Sequence, residues 1–500
     1  MPSVTIPQNE INQSLLVLVL DVGTSSVRAA LYDAQGNRIE GTEVKHERTL
    51  TATKDGGAEI NADEAVEQVA EAIDEVISKS QSLAEQIGLV ATSCFWHSLV
   101  GIDDNGNAIT PVLGWADRRA ASVIDELKNL FSENETHKRT GARFHASYLP
   151  AKLLWLKREN ENVFNSVARW LSFAEFLTLR LFGDDTSSVS MASASGLFDT
   201  HKQTWDEEFI EKLKIKPSSL PSIADTHKTF SNLKNEYAAR WSCLKDAVWF
   251  PAVGDGAANN IGAGCVTKSK AALMIGTSGA MRVLWRGEPP DELPSSLWCY
   301  RASREYVVCG GALSDGGGLY RWMKNSLKLE GTDDELEEQI AAMQPDEHAL
   351  TVLPFWAGER STGWRSNAHG SILNLSAHTK PIDILCAAME AVAYRFKLIA
   401  DAINEIAETQ EIIASGGALR ESLVWTQMIA NVLGRALKLS DTREASSRGA
   451  VLLALEASGN IKSIQDAPMP SGQIFEPDMK RHSLYQSAVQ RQQKFYEILL

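Results

Sequence analysis

Short apolar runs separated by glycine-bearing turns recur along the chain, and the first is the most regular. Leu15 to Leu20 is continuously apolar and rich in branched side chains, the composition of a strand buried on both faces. Asp21 ends the run, Val22-Gly23-Thr24-Ser25-Ser26 turns the chain, and Val27 to Tyr32 is apolar again. The pattern predicts a strand hairpin, and Asp33 to Asn37, with Gly36, closes a further turn.

Asn61 to Gln86 places Ala65, Val66, Val69, Ala70, Ile73, Val76 and Ile77 on one helical face, with Asn61 or Asp63 as cap. A strand around Leu89 to Phe95 ends in Phe95-Trp96-His97-Ser98. A second, Leu99 to Ile102, precedes the turn Asp103 to Asn107. Pro111 to Trp115 leads into Ala116-Asp117-Arg118-Arg119 and a helix reaching Phe131. Arg139 to Tyr148 is loop-like, and Lys152 to Arg158 is a short helical stripe suited to core packing. Gly183 to Asp199, rich in Ser, Gly and Asp, predicts a long surface connection.

Val248 to Val253 is apolar and runs into Gly254-Asp255-Gly256, and small residues continue to Gly264, as for a helix packed tightly on another backbone. The opening pattern then returns: Ala271 to Ile275, the turn Gly276-Thr277-Ser278-Gly279, and Ala280 to Trp285. One Gly-Thr-Ser turn between apolar runs is a weak signal. Two, about 250 residues apart, predict a duplicated domain. Further on, Gly316-Gly317-Gly318 precedes a helix holding Trp322, and Pro381 opens a helix to Ile406. Ile412 to Ser415 is a strand, Gly416-Gly417-Ala418 a tight turn, and Leu419 to Leu433 a helix; Arg448-Gly449-Ala450 begins another.

At 500 residues the chain predicts two or three domains. Its 44% hydrophobic and 23% charged content is that of a globular protein. A net charge of −15 with no basic block disfavours nucleic acid or an anionic membrane as partner, while leaving room for local positive charge in a pocket. The 6 cysteines are scattered, with no Cys-x-x-Cys pair, and read as buried free thiols in a reducing cytosol. Residues 1–14 lack a cationic leader and Leu15 to Leu20 is too short for a span, so a cytoplasmic location is expected. No His and Cys cluster suggests a metal site, and the absence of G-x-x-x-x-G-K-[ST] argues against a P-loop.

The candidate chemistry lies at the turns. A Gly-Thr-Ser-Ser turn beside Asp21 fits either an ordinary polar hairpin or a turn whose N–H and hydroxyl groups face phosphates while the Asp faces a metal. Asp255, between two glycines where strand gives way to helix, is either exposed to a cleft or a helix N-cap. The Gly416-Gly417 pair lets backbone approach a ligand closely, or simply starts a helix.

The ordered set DVGTSSVR, FWHS, WADRR, GDGAANN, IGTSGA and SGGALRESLVW resembles the FGGY family of carbohydrate kinases, from about Val17 to Gly459. Gly370 to Glu390 is similar to the family's C-terminal signature, departing at Asn374 where glycine is usual; Asn tolerates a left-handed turn. The resemblance implies an α/β protein of two actin-like (ribonuclease-H-like) domains around a cleft. Residues 14–262 would bind sugar and residues 263–500 would bind ATP. It implies Asp255 as general base, Asp21 as the Mg²⁺ residue, and Thr24, Ser25 and Arg28 facing the transferring phosphate. Gly276 and Thr277 would meet the ATP phosphates, Gly317 and Gly417 would frame the nucleoside, and Trp96, His97 and Asp117 would contact the sugar. Glu421 stands where glycerol kinases carry Asn, so contacts to the base differ there.

Substrate choice follows from the same segments. His97-Ser98-Leu99, Trp115-Ala116-Asp117 and Arg139 to Tyr148 look like the gluconate kinases of the family, which implies phosphorylation of D-gluconate to 6-phosphogluconate. A sugar acid needs donors at its carboxylate, and Arg143, His145 and His97 are the candidates; a solvated loop arginine is the other reading of Arg143. Xylulose or another pentulose is the alternative substrate. An actin-like ATPase without a sugar, or a non-catalytic sugar-binding relative, are the readings from other classes. A homodimer is one assembly open to such a chain.

Overall fold

The structure, a computed structural model, describes residues 15–365 and 367–500. Residues 1–14, among them the expected start of the first domain, lie outside the described residues. Strands β1 (Leu16–Val22) and β2 (Ser26–Tyr32) form the expected hairpin, with Asp21 opposite Arg28. Strand β3 (Val44–Glu47) extends it, and helix α1 (Ala62–Ser80) follows, its first N–H groups donating to the Asn61 side chain. The helix ends short of Gln86: Gln81 takes a positive φ and the last turn, Gln81–Gln86, tightens to 3₁₀. Strand β4 (Ile87–Cys94) then pairs parallel to β1, and β5 (Val248–Trp249) and β6 (Val253–Gly254) pair parallel to β4. Helix α2 (Asp255–Gly262) leaves from the end of β6.

The second half repeats this plan. Strands β7 (Lys270–Ile275) and β8 (Gly279–Arg286) form the second hairpin, β9 (Trp298–Arg301) and β10 (Tyr306–Leu313) continue it antiparallel, and helix α3 (Gly317–Ser326) follows. After the long helix α4 (Pro381–Ile406), strands β11 (Glu411–Ser415) and β12 (Leu437–Ser440) add parallel to β7, as β4 and β5 add to β1. Helices α5 (Gly417–Glu421) and α6 (Leu423–Leu433) separate them, the expected single helix being broken at Ser422, which caps α6. Both sheets therefore run in the order third, second, first, fourth and fifth strand, with β9 and the edge strand β13 (Gly472–Phe475) added to the second. This is the actin-like, ribonuclease-H-like α/β arrangement, present twice.

Each sheet has its own apolar core. Helix α7 (Ala445–Ala457), late in the chain, crosses back and packs Val451, Leu452 and Leu455 into the first core. It meets α2 backbone to backbone. A Cβ on Gly449 would stand 1.8 Å from the Ala258 carbonyl oxygen, and one on Gly262 1.8 Å from that of Ala445. The small-residue run after Asp255 is thus a helix crossing that admits no side chain.

One expectation is corrected. Gly183 to Asp199 is not a surface connection: from Ser187 onward it is buried. Its hydroxyls and carbonyls are absorbed by backbone and by neighbours; Ser188 Oγ donates to the Ala252 carbonyl at 2.6 Å, and Ser193 Oγ to that of Arg301 at 3.1 Å. Small polar residues in a wall between two halves have the composition of a loop. The fold also gathers His348, Cys386 and Glu390. Glu390 accepts from His348, Tyr394 and the Asp346 N–H, and His348 Nδ1 accepts from the Leu350 N–H, so the group is a satisfied hydrogen-bond network. All six cysteines are free and five are buried, Cys243 being partly exposed. Asn374 does adopt the left-handed turn, at φ 68°. Among the described residues no helix is long and apolar enough to cross a membrane.

Candidate active site

A cleft of about 260 Å³ opens between the two halves and is lined by both Gly-Thr-Ser turns and by Asp255. The first turn is closed by a 2.9 Å bond from the Gly23 N–H to the Ser26 carbonyl, leaving Thr24 and Ser25 at the cleft. Asp21 lies behind it, buried at the end of β1, with Arg28 Nη1 3.6 Å away across the hairpin. Burial lifts its carboxyl to about 6, against the pull of Arg28. Arg28 also reaches Glu444 of the α7 approach at 3.5 Å.

The second turn is a meeting of backbones. The Gly317 N–H donates to the Gly276 carbonyl at 2.8 Å and the Gly318 N–H to that of Thr277 at 2.9 Å. A Cβ on Gly317 would stand 2.5 Å from the Gly276 oxygen and 2.8 Å from the Ala418 Cβ, and Gly416 takes φ 103° against Ile275. Gly276, Thr277, Gly317 and Gly417 are therefore brought together, with the starts of α3 and α5 beside one exposed threonine. The first N–H groups of α3 are spent on these carbonyls and on that of Gly316, so they fix the turn and leave the Thr277 hydroxyl facing outward.

Asp255 is the first residue of α2, with Gly254 in the cap position, so the N-cap reading does not hold. Its Oδ1 accepts from the Gly256 N–H at 2.7 Å. Burial raises its pKa, opposed first by Arg282 and then by the Gly256 N–H, Arg360 and the Trp96 N–H. The flanking glycines make room for Trp96: a Cβ on Gly254 would lie 1.7 Å from Trp96 Nε1, and one on Gly256 2.4 Å from Cζ3. Trp96 Nε1 donates to the Ser190 carbonyl at 3.0 Å, so the indole offers the cleft an apolar face. Its ring packs edge-on against Tyr300 and Trp298 of β9, closing the cleft from the other half.

His97 follows in a left-handed conformation, φ 63°. Its Nδ1 lies 2.7 Å from the Ala194 carbonyl and burial holds its pKa down to about 3. A carbonyl only accepts, so Nδ1 carries the proton and neutral His97 keeps Nε2 as an acceptor. Lys152 Nζ donates to the His97 carbonyl, and to that of Leu113 at 3.3 Å, and burial lowers this lysine to about 7. The helical stripe at Lys152 is thus a prop beneath His97 as well as core.

The remaining predicted residues lie apart. Asp117 is buried in an adjoining recess of about 160 Å³ that shares Trp115, Ser147 and Arg360 with the cleft. Its oxygens accept from Arg119 Nη2 at 2.6 Å and the Ala58 N–H at 3.2 Å. Arg143 lines neither the cleft nor the recess; Glu133 holds it at 2.9 Å and Asn134 at 3.2 Å. Its charge is neutralised ten residues back along the chain.

Sequence reasoning missed Arg282, Arg360, Trp298, Tyr300 and Trp364, all in the cleft wall. An arginine inside the apolar strand Met281-Arg282-Val283-Leu284 was a usable signal, since alternation sends Met281 and Val283 to the core and Arg282 to the opposite face. Arg360 sits in an irregular loop with no such signal.

Comparison with known proteins agrees with this geometry. The profile of the FGGY family of carbohydrate kinases, N-terminal domain, matches residues 16–262, and that of the C-terminal domain matches residues 271–458. The gluconokinase of Bacillus subtilis (strain 168) is 28% identical over 459 residues, covering 89% of this chain and 88% of that protein. The gluconate kinase structure from Lactobacillus acidophilus superposes with a TM-score of 0.88 at 26% identity, covering 97% of this chain and 98% of the other. The ligand-bound xylulose kinase from Lactobacillus acidophilus gives 0.88 at 27% identity and the same coverage. The chain belongs to the FGGY family of carbohydrate kinases.

Proposed function

We propose that this carbohydrate kinase transfers the γ-phosphoryl group of ATP to a hydroxyl of D-gluconate, giving 6-phosphogluconate and ADP. The observation that carries the reading is the pairing of two Gly-Thr-Ser turns, one from each half, in a single cleft that also holds Asp255. Asp255 takes the proton of the attacking hydroxyl, whose oxygen bonds to the γ-phosphorus as the bond to the ADP oxygen breaks. Trp96 covers the sugar with its ring and His97 Nε2 accepts from a sugar hydroxyl. Thr24, Ser25 and Arg28 face the moving phosphoryl group; Gly276 and Thr277 hold the ATP phosphates, with Gly317 and Gly417 at the nucleoside. Residues 14–262 supply the sugar side and residues 263–500 the ATP side.

Asp21 suits Mg²⁺, which takes one or two carboxylates and fills its shell with water and phosphate oxygens. Its lone carboxylate is held at a strand end beside the first turn, and the buried Ser93 hydroxyl, opposite it on β4, has no hydrogen-bond partner. When bound, the ion neutralises phosphate charge. The equal superposition of a xylulose kinase favours a pentulose as the second reading. A panel of sugar acids, pentuloses and polyols in a coupled ADP-release assay tests the proposal. Gluconate should give the highest kcat/KM; preference for a pentulose would replace the substrate, and turnover indifferent to every sugar would sink the kinase reading.

A further inference from the structure

The groups first expected to meet a carboxylate cannot supply charge. Arg143 is committed to Glu133 outside the cleft, and His97 is neutral. His145 is neutral too: burial drives it down to about 3, and its Nδ1 is engaged by Ser147. Arg28, Arg282 and Arg360 line the cleft, and Arg118 and Arg360 line the recess; Arg28 is held by Asp21 and Glu444, and among the described residues Arg360 is the arginine common to both walls.

Arg282 belongs with the base. A Cβ on Gly256 would lie 3.1 Å from its Nε, and Gly310 leaves space for its stem. Nε and Nη1 lack hydrogen-bond partners, and among the described residues Arg282 makes no ion pair. Its influence falls first on Asp255, whose ionised form it favours.

Arg360 stands where the cleft opens into the recess, a recess that Asp255 does not line. Its guanidinium stacks 4.8 Å over the Trp115 ring, and Nη2 donates to the Leu313 carbonyl at 3.0 Å. Its Nε is buried without a partner. The neighbouring carboxylate, Glu359, is taken by Arg395 and Tyr496. A planar guanidinium fixed on an aromatic ring, with Nε unspent and one side on a recess that Asp255 does not line, is arranged for a planar anion.

The geometry points to Arg360 as the specificity-determining residue, receiving the carboxylate of a polyhydroxy acid whose far hydroxyl lies at Asp255. This rests on the gluconate reading and names the residue that enforces it. Arg282, by contrast, acts on the base and is indifferent to the substrate's charge.

The test measures kcat/KM for gluconate and for its neutral counterpart glucitol in the wild type, Arg360→Met, Arg360→Lys and Arg282→Gln. Binding of gluconate without ATP, read by tryptophan fluorescence, gives a second measure independent of turnover. Arg360→Met should shift the acid-to-neutral ratio by about 100-fold, mainly through KM and Kd, and Arg360→Lys by about tenfold. Arg282→Gln should lower kcat for both substrates together and leave the ratio in place. An Arg360→Met enzyme that loses both substrates in equal proportion, or binds gluconate as the wild type does, overturns the assignment while gluconate kinase activity stands. A wild type that phosphorylates neutral sugars and no acid removes the gluconate reading first, and this inference with it.

Discussion

The indole of Trp96 and the backbone of Gly254 leave no space between them: a Cβ on Gly254 would stand 1.7 Å from Trp96 Nε1. The sugar-side ring and the turn that presents Asp255 are therefore one packed unit. Gly254→Ala should push the indole into the cleft, raising the sugar KM at least about tenfold and costing about 2 kcal/mol of stability. Steady-state kinetics and denaturant unfolding check both; an unchanged KM would separate Trp96 from the sugar.

Asp255→Asn should lower kcat by about 1,000-fold, the usual scale for a general base, with ATP and sugar still bound. Burial raises the Asp255 pKa in the folded chain, so its charged form costs stability at neutral pH and the cost is relieved as pH falls. The Asn variant should accordingly show no lower Tm at pH 7. A near-normal kcat would exclude Asp255 as the base.

The pH profile follows from the same shift. Activity should fall as pH drops and Asp255 takes up its proton, with the limb above the ordinary aspartate range. His97, held down to about 3 and neutral, should contribute no limb near 6.5. His97→Asn should raise the sugar KM and leave the shape of the profile alone.

Lys152 offers a stability signature. In the fold it loses its proton near 7, against 10.5 when free, so between those values the unfolded chain binds a proton that the folded chain does not. Stability should therefore rise with pH across that window, and Lys152→Met should flatten the rise. The same substitution removes the donor from the His97 carbonyl and should raise the sugar KM.

Gly449→Ala places a Cβ 1.8 Å from the Ala258 carbonyl oxygen, where no side chain can move aside. It should cost about 3 kcal/mol or more, read by thermal or denaturant unfolding.

Much of this arrangement was legible in the sequence because it is carried by local chemistry. Both hairpins follow from apolar runs flanking Gly-Thr-Ser, and the doubly flanked Asp255 stood out at a strand-to-helix turn. What stayed hidden depends on partners distant in sequence or set by topology. The burial of Ser187 to Thr200 requires the opposite half, through Arg301, and nothing in a run of serines announces it. Arg143 and Arg360 are both loop arginines; one is neutralised by Glu133 and the other laid on Trp115, and only the fold tells them apart.

The crossing of α2 and α7 is made by Gly262 and Gly449 against main-chain oxygens, so it contains no side chain whose size can be traded. Side chains in the cleft wall can change in size while the main-chain crossing that carries Asp255 keeps its position. Such a partition separates a hub fixed by main-chain contact from a rim built of side chains, so the position of the base is set independently of what lines the cleft.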